Sequence, residues 1–237
     1  MLLAIDTATD RASVALGGLG MEATEESVTG ARRHAAALLP MIERLLCSAG
    51  ASLDDLRGIV LSDGPGSFTG LRVGASLAKA LVQARNLPLW VAASLLARAA
   101  GVAEEGALVL AVAGALRGEV YAAAYRFGRD GVQTVLSPTV RRPDELAASS
   151  FQPDVLVGEA PVEVIAALEK WIGRRIIGPP NGSPRASQLL RLVGLAGGAR
   201  LVEAAQWEPV YGRPAEAQAR WEIAHGRPLP DSVGSPG

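Results

Sequence analysis

Apolar and polar positions change period along this chain, and the changes divide it into strands and helices. Residues 2–6 form an unbroken apolar run that ends in Asp6, followed by Thr7 and Thr9. Ser13, Val14 and Leu16 keep strand spacing, Gly17 and Gly18 supply a turn, and 21–26 returns as a third strand; this predicts an antiparallel meander. Over 31–49 the period becomes helical, with Ala35, Leu38, Leu39, Ile42, Leu45, Leu46 and Ala49 on recurring faces. Pro40 is expected to bend or divide that helix, because it lacks an N–H and crowds the preceding turn. Gly50 ends it. Ser52 and Asp55 read as a capping box for one short turn. A strand at 58–61, a helix at 71–85, a strand at 88–92 and a helix at 94–101 complete the order βββαβαβα.

The second half repeats this order. Strands are predicted at 107–113, 119–127 and 132–140, the last two joined by the turn residues Asp130 and Gly131. Tyr121, Tyr125 and Phe127 favour the middle strand. A short helix at 143–148, a strand at 155–158, a helix at 162–171 and a strand at 176–177 follow. Ser183 and Pro184 open a last helix to about residue 199, a cap followed by proline at the first helical position. The repetition predicts an α/β protein of two similar lobes around a cleft, 1–102 and 103–212. The proline-rich remainder, 213–237, is expected to hold a short helix and a mobile tail.

Between the strand at 58–61 and its helix lies Ser62-Asp63-Gly64-Pro65-Gly66-Ser67-Phe68-Thr69-Gly70. A strand, a glycine-rich turn and a helix N-terminus can hold an anion on free N–H groups. The stretch has no lysine and lacks the spacing of a P-loop, and Asp63 at its entrance disfavours a polyanion. The structural reading is that Gly66 and Gly70 let the helix pack closely while Phe68 fills a gap.

Composition narrows the function classes. Hydrophobic residues make up 49% of the 237 positions, ample for a large core, and the formal net charge is −1. Binding nucleic acid unaided needs a basic face, which scattered basic residues do not provide. Cys47, the single cysteine, excludes a disulfide framework. The start carries no basic, cleavable leader and no apolar run is long enough to span a bilayer, so a cytoplasmic protein without membrane association is expected. His34, His225 and Cys47 have no ligand-like spacing, and His34 is expected on an exposed helix face. No Ser or Cys nucleophile with a histidine and carboxylate can be assembled.

Five stretches carry a resemblance over most of the chain: Leu3-Ala4-Ile5-Asp6-Thr7-Ala8-Thr9; His34 with Leu39-Pro40-Met41-Ile42; Gly64-Pro65-Gly66-Ser67-Phe68-Thr69-Gly70-Leu71-Arg72-Val73-Gly74; Arg117-Gly118-Glu119-Val120-Tyr121; and Glu208-Pro209-Val210-Tyr211. The sequence resembles the TsaB (YeaZ) family, paralogues of the threonylcarbamoyl-transferase subunit TsaD within the actin/sugar-kinase/Hsp70 (ASKHA) superfamily. The resemblance implies two RNase H-like lobes of an actin-like ATPase fold. It also implies a non-catalytic subunit that docks on and activates TsaD, for threonylcarbamoyl modification of the adenosine 3′ of the anticodon in tRNAs reading ANN codons. The partners implied are a TsaD-type subunit, a TsaE-type ATPase through the complex, a second copy when the protein is alone, and tRNA only indirectly.

The same resemblance defines the candidate site residues. Superfamily kinases use the carboxylate at the place of Asp6 to handle the metal of a nucleotide, so Asp6, Thr7, Gly64, Gly66 and Ser67 are the cofactor-binding candidates. Gly114 stands where the family pattern has Asp, so the second carboxylate wanted for phosphoryl transfer is missing. Ser94 and Arg98 stand where TsaD has its two metal-binding histidines, and neither suits a transition metal as a donor pair. No catalytic residue and no resident cofactor or metal is therefore expected, with an ATP or ADP at the interface with TsaD left open. The helix at 31–49 is apolar around more than half its circumference, and surplus apolar helix surface marks an interface. Leu38, Met41, Ile42, Leu45, Gly74, Ala75, Ala78 and Val82 are the expected interface residues. The competing reading is an ATP-dependent ASKHA-type enzyme, a kinase or carbamoyl transferase working in the interlobe cleft.

Overall fold

The computed structural model describes residues 1–18, 20–30, 33–115 and 117–211. The expected helix and tail at 213–237 lie outside the described residues. The first half runs β1 (Leu2–Asp6), β2 (Arg11–Gly18), β3 (Met21–Thr29), α1 (His34–Ser48), β4 (Ile59–Ser62), α2 (Phe68–Arg85), β5 (Leu89–Ala92) and α3 (Ser94–Ala100). The second runs β6 (Leu108–Gly114), β7 (Val120–Phe127), β8 (Val132–Arg141), α4 (Pro143–Ala147), β9 (Val155–Glu159), α5 (Val162–Ile172), α6 (Ala186–Leu192) and β10 (Arg200–Val202).

Both sheets are built in the same order. In the first it is β10-β5-β4-β1-β2-β3, in the second β8-β7-β6-β9. In each, the first strand pairs antiparallel with the second and parallel with the fourth: Asp6 lies opposite Ser13, and Ile5 opposite Leu61; Leu110 lies opposite Ala124 and Leu156. This duplicated topology is the actin-like ATPase arrangement. The strand expected at 176–177 contracts to a single bridge from Ile177 to Val157. The helix expected from 183 to 199 ends at Leu192, and the chain turns back as β10 on the open edge of β5, with Leu201 opposite Trp90. A strand from the span assigned to the second lobe thus completes the first sheet.

The elements stack in five layers, each apolar strand face meeting one helix layer. α1 and α2 cover the outer face of the first sheet, with Leu38, Ile42, Leu45 and Ala78 against Ile5, Val14, Ile59 and Leu61. α3 and α6 fill the space between the sheets, where Leu95, Leu96 and Leu189 join Ala4 and Val60 to Val109 and Tyr125. α4 and α5 cover the outer face of the second sheet through Leu146, Val164 and Leu168. Strands buried on both faces explain the near-continuous apolar runs of β1, β4 and β6.

Two local expectations change. α1 runs unbroken through Pro40. His34 is 1% exposed rather than on an open face, and its Nε2 lies 3.0 Å from the Asp10 carbonyl oxygen. A carbonyl only accepts, so Nε2 carries the proton and donates. This bond ties the turn between β1 and β2 to the start of α1.

Candidate functional site

The C-terminal ends of the parallel strands are where this topology places a ligand site. Asp6, at the end of β1, is 0% exposed. Its Oδ1 accepts from the Ala8 N–H at 3.2 Å, and its Oδ2 has no hydrogen-bond partner among the described residues. Burial pushes the carboxyl up to about 6. The Ala8 N–H, the Ser62 hydroxyl (beside the carboxylate but outside hydrogen-bond geometry) and the Arg98 charge pull it back, while Glu25 adds a small upward push.

The glycine-rich turn is spent on packing against the residues that follow Asp6. A β-carbon on Gly66 would stand 2.3 Å from the Ala8 carbonyl oxygen, and one on Gly74 would stand 2.4 Å from the Thr7 hydroxyl. The Ser67 N–H donates to the Ala8 carbonyl at 2.7 Å, and the Ser67 hydroxyl caps α2 by accepting from the Gly70 N–H at 3.2 Å. Gly64 has φ +103°, and a β-carbon there would meet the Val210 carbonyl oxygen at 2.1 Å. Asp63 is buried and accepts from Arg200 at 3.0 Å; its backbone bonds Ala92 and Val210. Burial raises its carboxyl, and the charge and hydrogen bond of Arg200 pull it back.

Asp6, Thr7, Gly64, Gly66 and Ser67 are therefore brought together, but around one another. The carboxylate is sealed from solvent, and the loop's close approaches are to protein carbonyls. Among the described residues no three His, Cys, Asp or Glu side chains are grouped to hold a metal. Ser94 donates to the Pro65 carbonyl oxygen, and Arg98 donates to Glu159 at 2.9 Å. Sealed from solvent and without a grouped set of donors, these residues do not fit a metal–nucleotide.

The outer helices place the expected interface residues against the first sheet. Leu38, Met41, Ile42, Leu45, Gly74, Ala75 and Ala78 are buried, and Val82 packs half-buried beside them. They are the stripe that meets the first sheet. Helical period reveals an apolar face but not which of two faces meets the core, and the larger side chains of α1 took the sheet. The accessible surface lies on the other side, in a groove of about 650 Å³ between α1 and α2. Leu39, 51% exposed, stands on one wall. Phe68, Arg72, Val73 and Leu77 stand on the other, over Leu38 at the floor.

The chain's late segment packs against α2 beside this groove. The Phe68 and Tyr211 rings lie 4.7 Å apart, with the Arg72 guanidinium 4.4 Å above Phe68. Lys79 pairs with Glu208 at 2.7 Å and lies over Trp207. Sequence reasoning missed Phe68, Arg72 and Tyr211 as a unit. The signal was the pair of aromatics in two stretches of the resemblance, but nothing in the spacing joins positions so far apart.

Comparison with known proteins fits this architecture. The family model described as "TsaD: tRNA N6-adenosine threonylcarbamoyltransferase" matches residues 28–214. The tRNA threonylcarbamoyladenosine biosynthesis protein TsaB of Escherichia coli is 37% identical over 147 residues, 59% of this chain and 63% of that protein. TsaB of Haemophilus influenzae is 38% identical over 122 residues, 51% of each chain. The chain thus spans less than two thirds of these curated relatives in the matched region. The crystal structure of YeaZ from Pseudomonas aeruginosa superposes with a TM-score of 0.73 at 31% identity, covering 89% of this chain and 98% of that one. The family model over residues 28–214 and a solved relative 31% identical and covered over 98% of its length lead to one conclusion: the chain belongs to the TsaB/YeaZ family, within the wider group that the TsaD model describes.

Proposed function

We propose that this chain is a non-catalytic subunit in the biosynthesis of threonylcarbamoyladenosine in tRNA, docking on a TsaD-type transferase through α1 and α2. The observation that carries the reading is the contrast between its two candidate sites. The interlobe site is closed on itself, while the groove between α1 and α2 leaves Leu39, Val73, Leu77 and Phe68 short of a covering layer. Apolar helix surface of this kind gains free energy when another helix covers it. The proposed target is the adenosine 3′ of the anticodon in tRNAs reading ANN codons, with tRNA held by the partner and a TsaE-type ATPase joining through the complex. The same groove would join two copies of the chain when no partner is present. Cytoplasmic residence belongs to this proposal; among the described residues no helix is long and apolar enough to cross a membrane.

Gel filtration of the protein mixed with the TsaD-type subunit of the same cell tests the reading. A heterodimer at micromolar concentration, with threonylcarbamoyl transfer that depends on both proteins, is expected; separate elution overturns it. The competing reading, an ATP-dependent enzyme in the interlobe cleft, predicts tight Mg-ATP binding by the isolated chain, lost in Asp6→Ala. Calorimetry without heat removes it. Nucleotide heat only from the mixed proteins would place ATP or ADP at the interface.

A further inference from the structure

We infer that Arg98 is a built-in cation of the interlobe site. It supplies from the chain itself the positive charge that a metal ion or metal–nucleotide would bring to such a cleft, and it ties the two sheets together. Arg98 is the largest fully buried side chain among the described residues, 2% exposed. Arginine is almost never buried to this degree without a partner. Its Nη2 is paired with Glu159, at the end of β9 in the second sheet, while Nη1 has no hydrogen-bond partner among the described residues; its charge also pulls down the carboxyl of Asp6, at the end of β1 in the first.

The helix that carries it is anchored on the other side. The Ser94 N–H donates to the Gly64 carbonyl at 2.8 Å, and the Ser94 hydroxyl donates to Pro65. Residues four apart lie on one helix face, so a single face of α3 holds the first lobe's glycine-rich turn through Ser94 and the second lobe's β9 through Arg98. A fixed guanidinium at this point repels a divalent cation and commits Glu159. The relative position of the lobes then needs no exchangeable ligand. This claim is independent of partner docking, because its test uses the isolated chain.

The test is amide hydrogen exchange at residues 6–9 and 155–161, with thermal melting, on the wild type and on Glu159→Gln, Arg98→Met and Arg98→Lys. Glu159→Gln and Arg98→Met should exchange at least tenfold faster at both segments and melt at lower temperature. Arg98→Lys, which keeps the charge, should stay closer to wild type. Millimolar Mg-ATP should leave the wild-type melt unchanged, since a ligand that binds the folded state raises it. Should Arg98→Met fail to fold, Glu159→Gln decides alone, because its side chain is 48% exposed. Wild-type exchange in both charge-removing variants, equal failure of Arg98→Lys and Arg98→Met, or a melt raised by Mg-ATP overturns the inference.

Discussion

A β-carbon placed on Gly70 would stand 2.1 Å from the carbonyl oxygen of Thr7. The glycine-rich turn and the loop after β1 therefore touch backbone to backbone, and the glycines serve that contact. Gly70→Ala forces α2 away from β1 and is expected to cost roughly 2 kcal/mol or more, as overpacking does. Gly114→Ala, whose nearest neighbour would lie at 3.4 Å, should stay within about 0.5 kcal/mol of wild type. Denaturant unfolding of the two variants checks the contrast.

Asp6 gives the protein a pH signature of definite sign. Its carboxyl titrates near 6 in the fold, against 3.8 when free. The folded state therefore holds the proton more tightly than the unfolded state. The favourable contribution is complete below about pH 4 and is lost as pH rises through 6. Asp6→Asn should flatten this loss, so the stability of wild type relative to the variant should fall between pH 4 and 6. On the scale of ~1.4 kcal/mol per pKa unit, the change is on the order of 2–3 kcal/mol. Urea titrations of both proteins at four pH values would detect it; parallel curves would show that Asp6 does not titrate in this range.

The buried imidazole of His34 holds the turn between β1 and β2 through the Asp10 carbonyl. His34→Leu fills similar space and removes one of two donors to that carbonyl, the Gly30 N–H remaining at 2.9 Å, at an expected cost of about 0.5–1.5 kcal/mol. Thermal melting should show the loss, and hydrogen exchange should place it in residues 7–11.

Leu38 and Leu39 are neighbours with opposite surroundings: Leu38 lies in the core and Leu39 is half in solvent. Leu38→Ala is expected to cost about 2–5 kcal/mol of stability through lost burial and the cavity left behind. Leu39→Ala should leave stability within about 0.5 kcal/mol. A reversed order in unfolding experiments would mean that α1 sits on the sheet by its other face.

The duplicated fold was legible because strands buried on both faces write long apolar runs, and because turns such as Asp130-Gly131 and the cap at Ser52 act locally. The capping box of Ser52 and Asp55 is present as expected. Less was legible where distant segments decide. Nothing near Arg200 announces that its strand pairs with β5 and that its guanidinium reaches Asp63. The burial of His34 depends on a carbonyl 24 residues earlier. The expected interface residues lie in the core for a related reason. Leu38, Met41 and Ile42 on one side of α1 and Leu39 on the other are all apolar, and only the sheet's position tells core from surface. Arg98 stands where the resemblance has a metal ligand, whereas its pairing with Glu159 needs the second lobe in place.

The most direct test of the account is the affinity of the isolated TsaD-type partner for wild-type protein and for Leu39→Arg, measured by calorimetry or interferometry. Leu39 lines the groove without supporting the fold, so a charged, bulky side chain there should block docking while leaving the melting temperature unchanged. A wild-type Kd in the micromolar range or tighter, weakened at least tenfold by Leu39→Arg, is the predicted result. Equal affinities for the two proteins would contradict it.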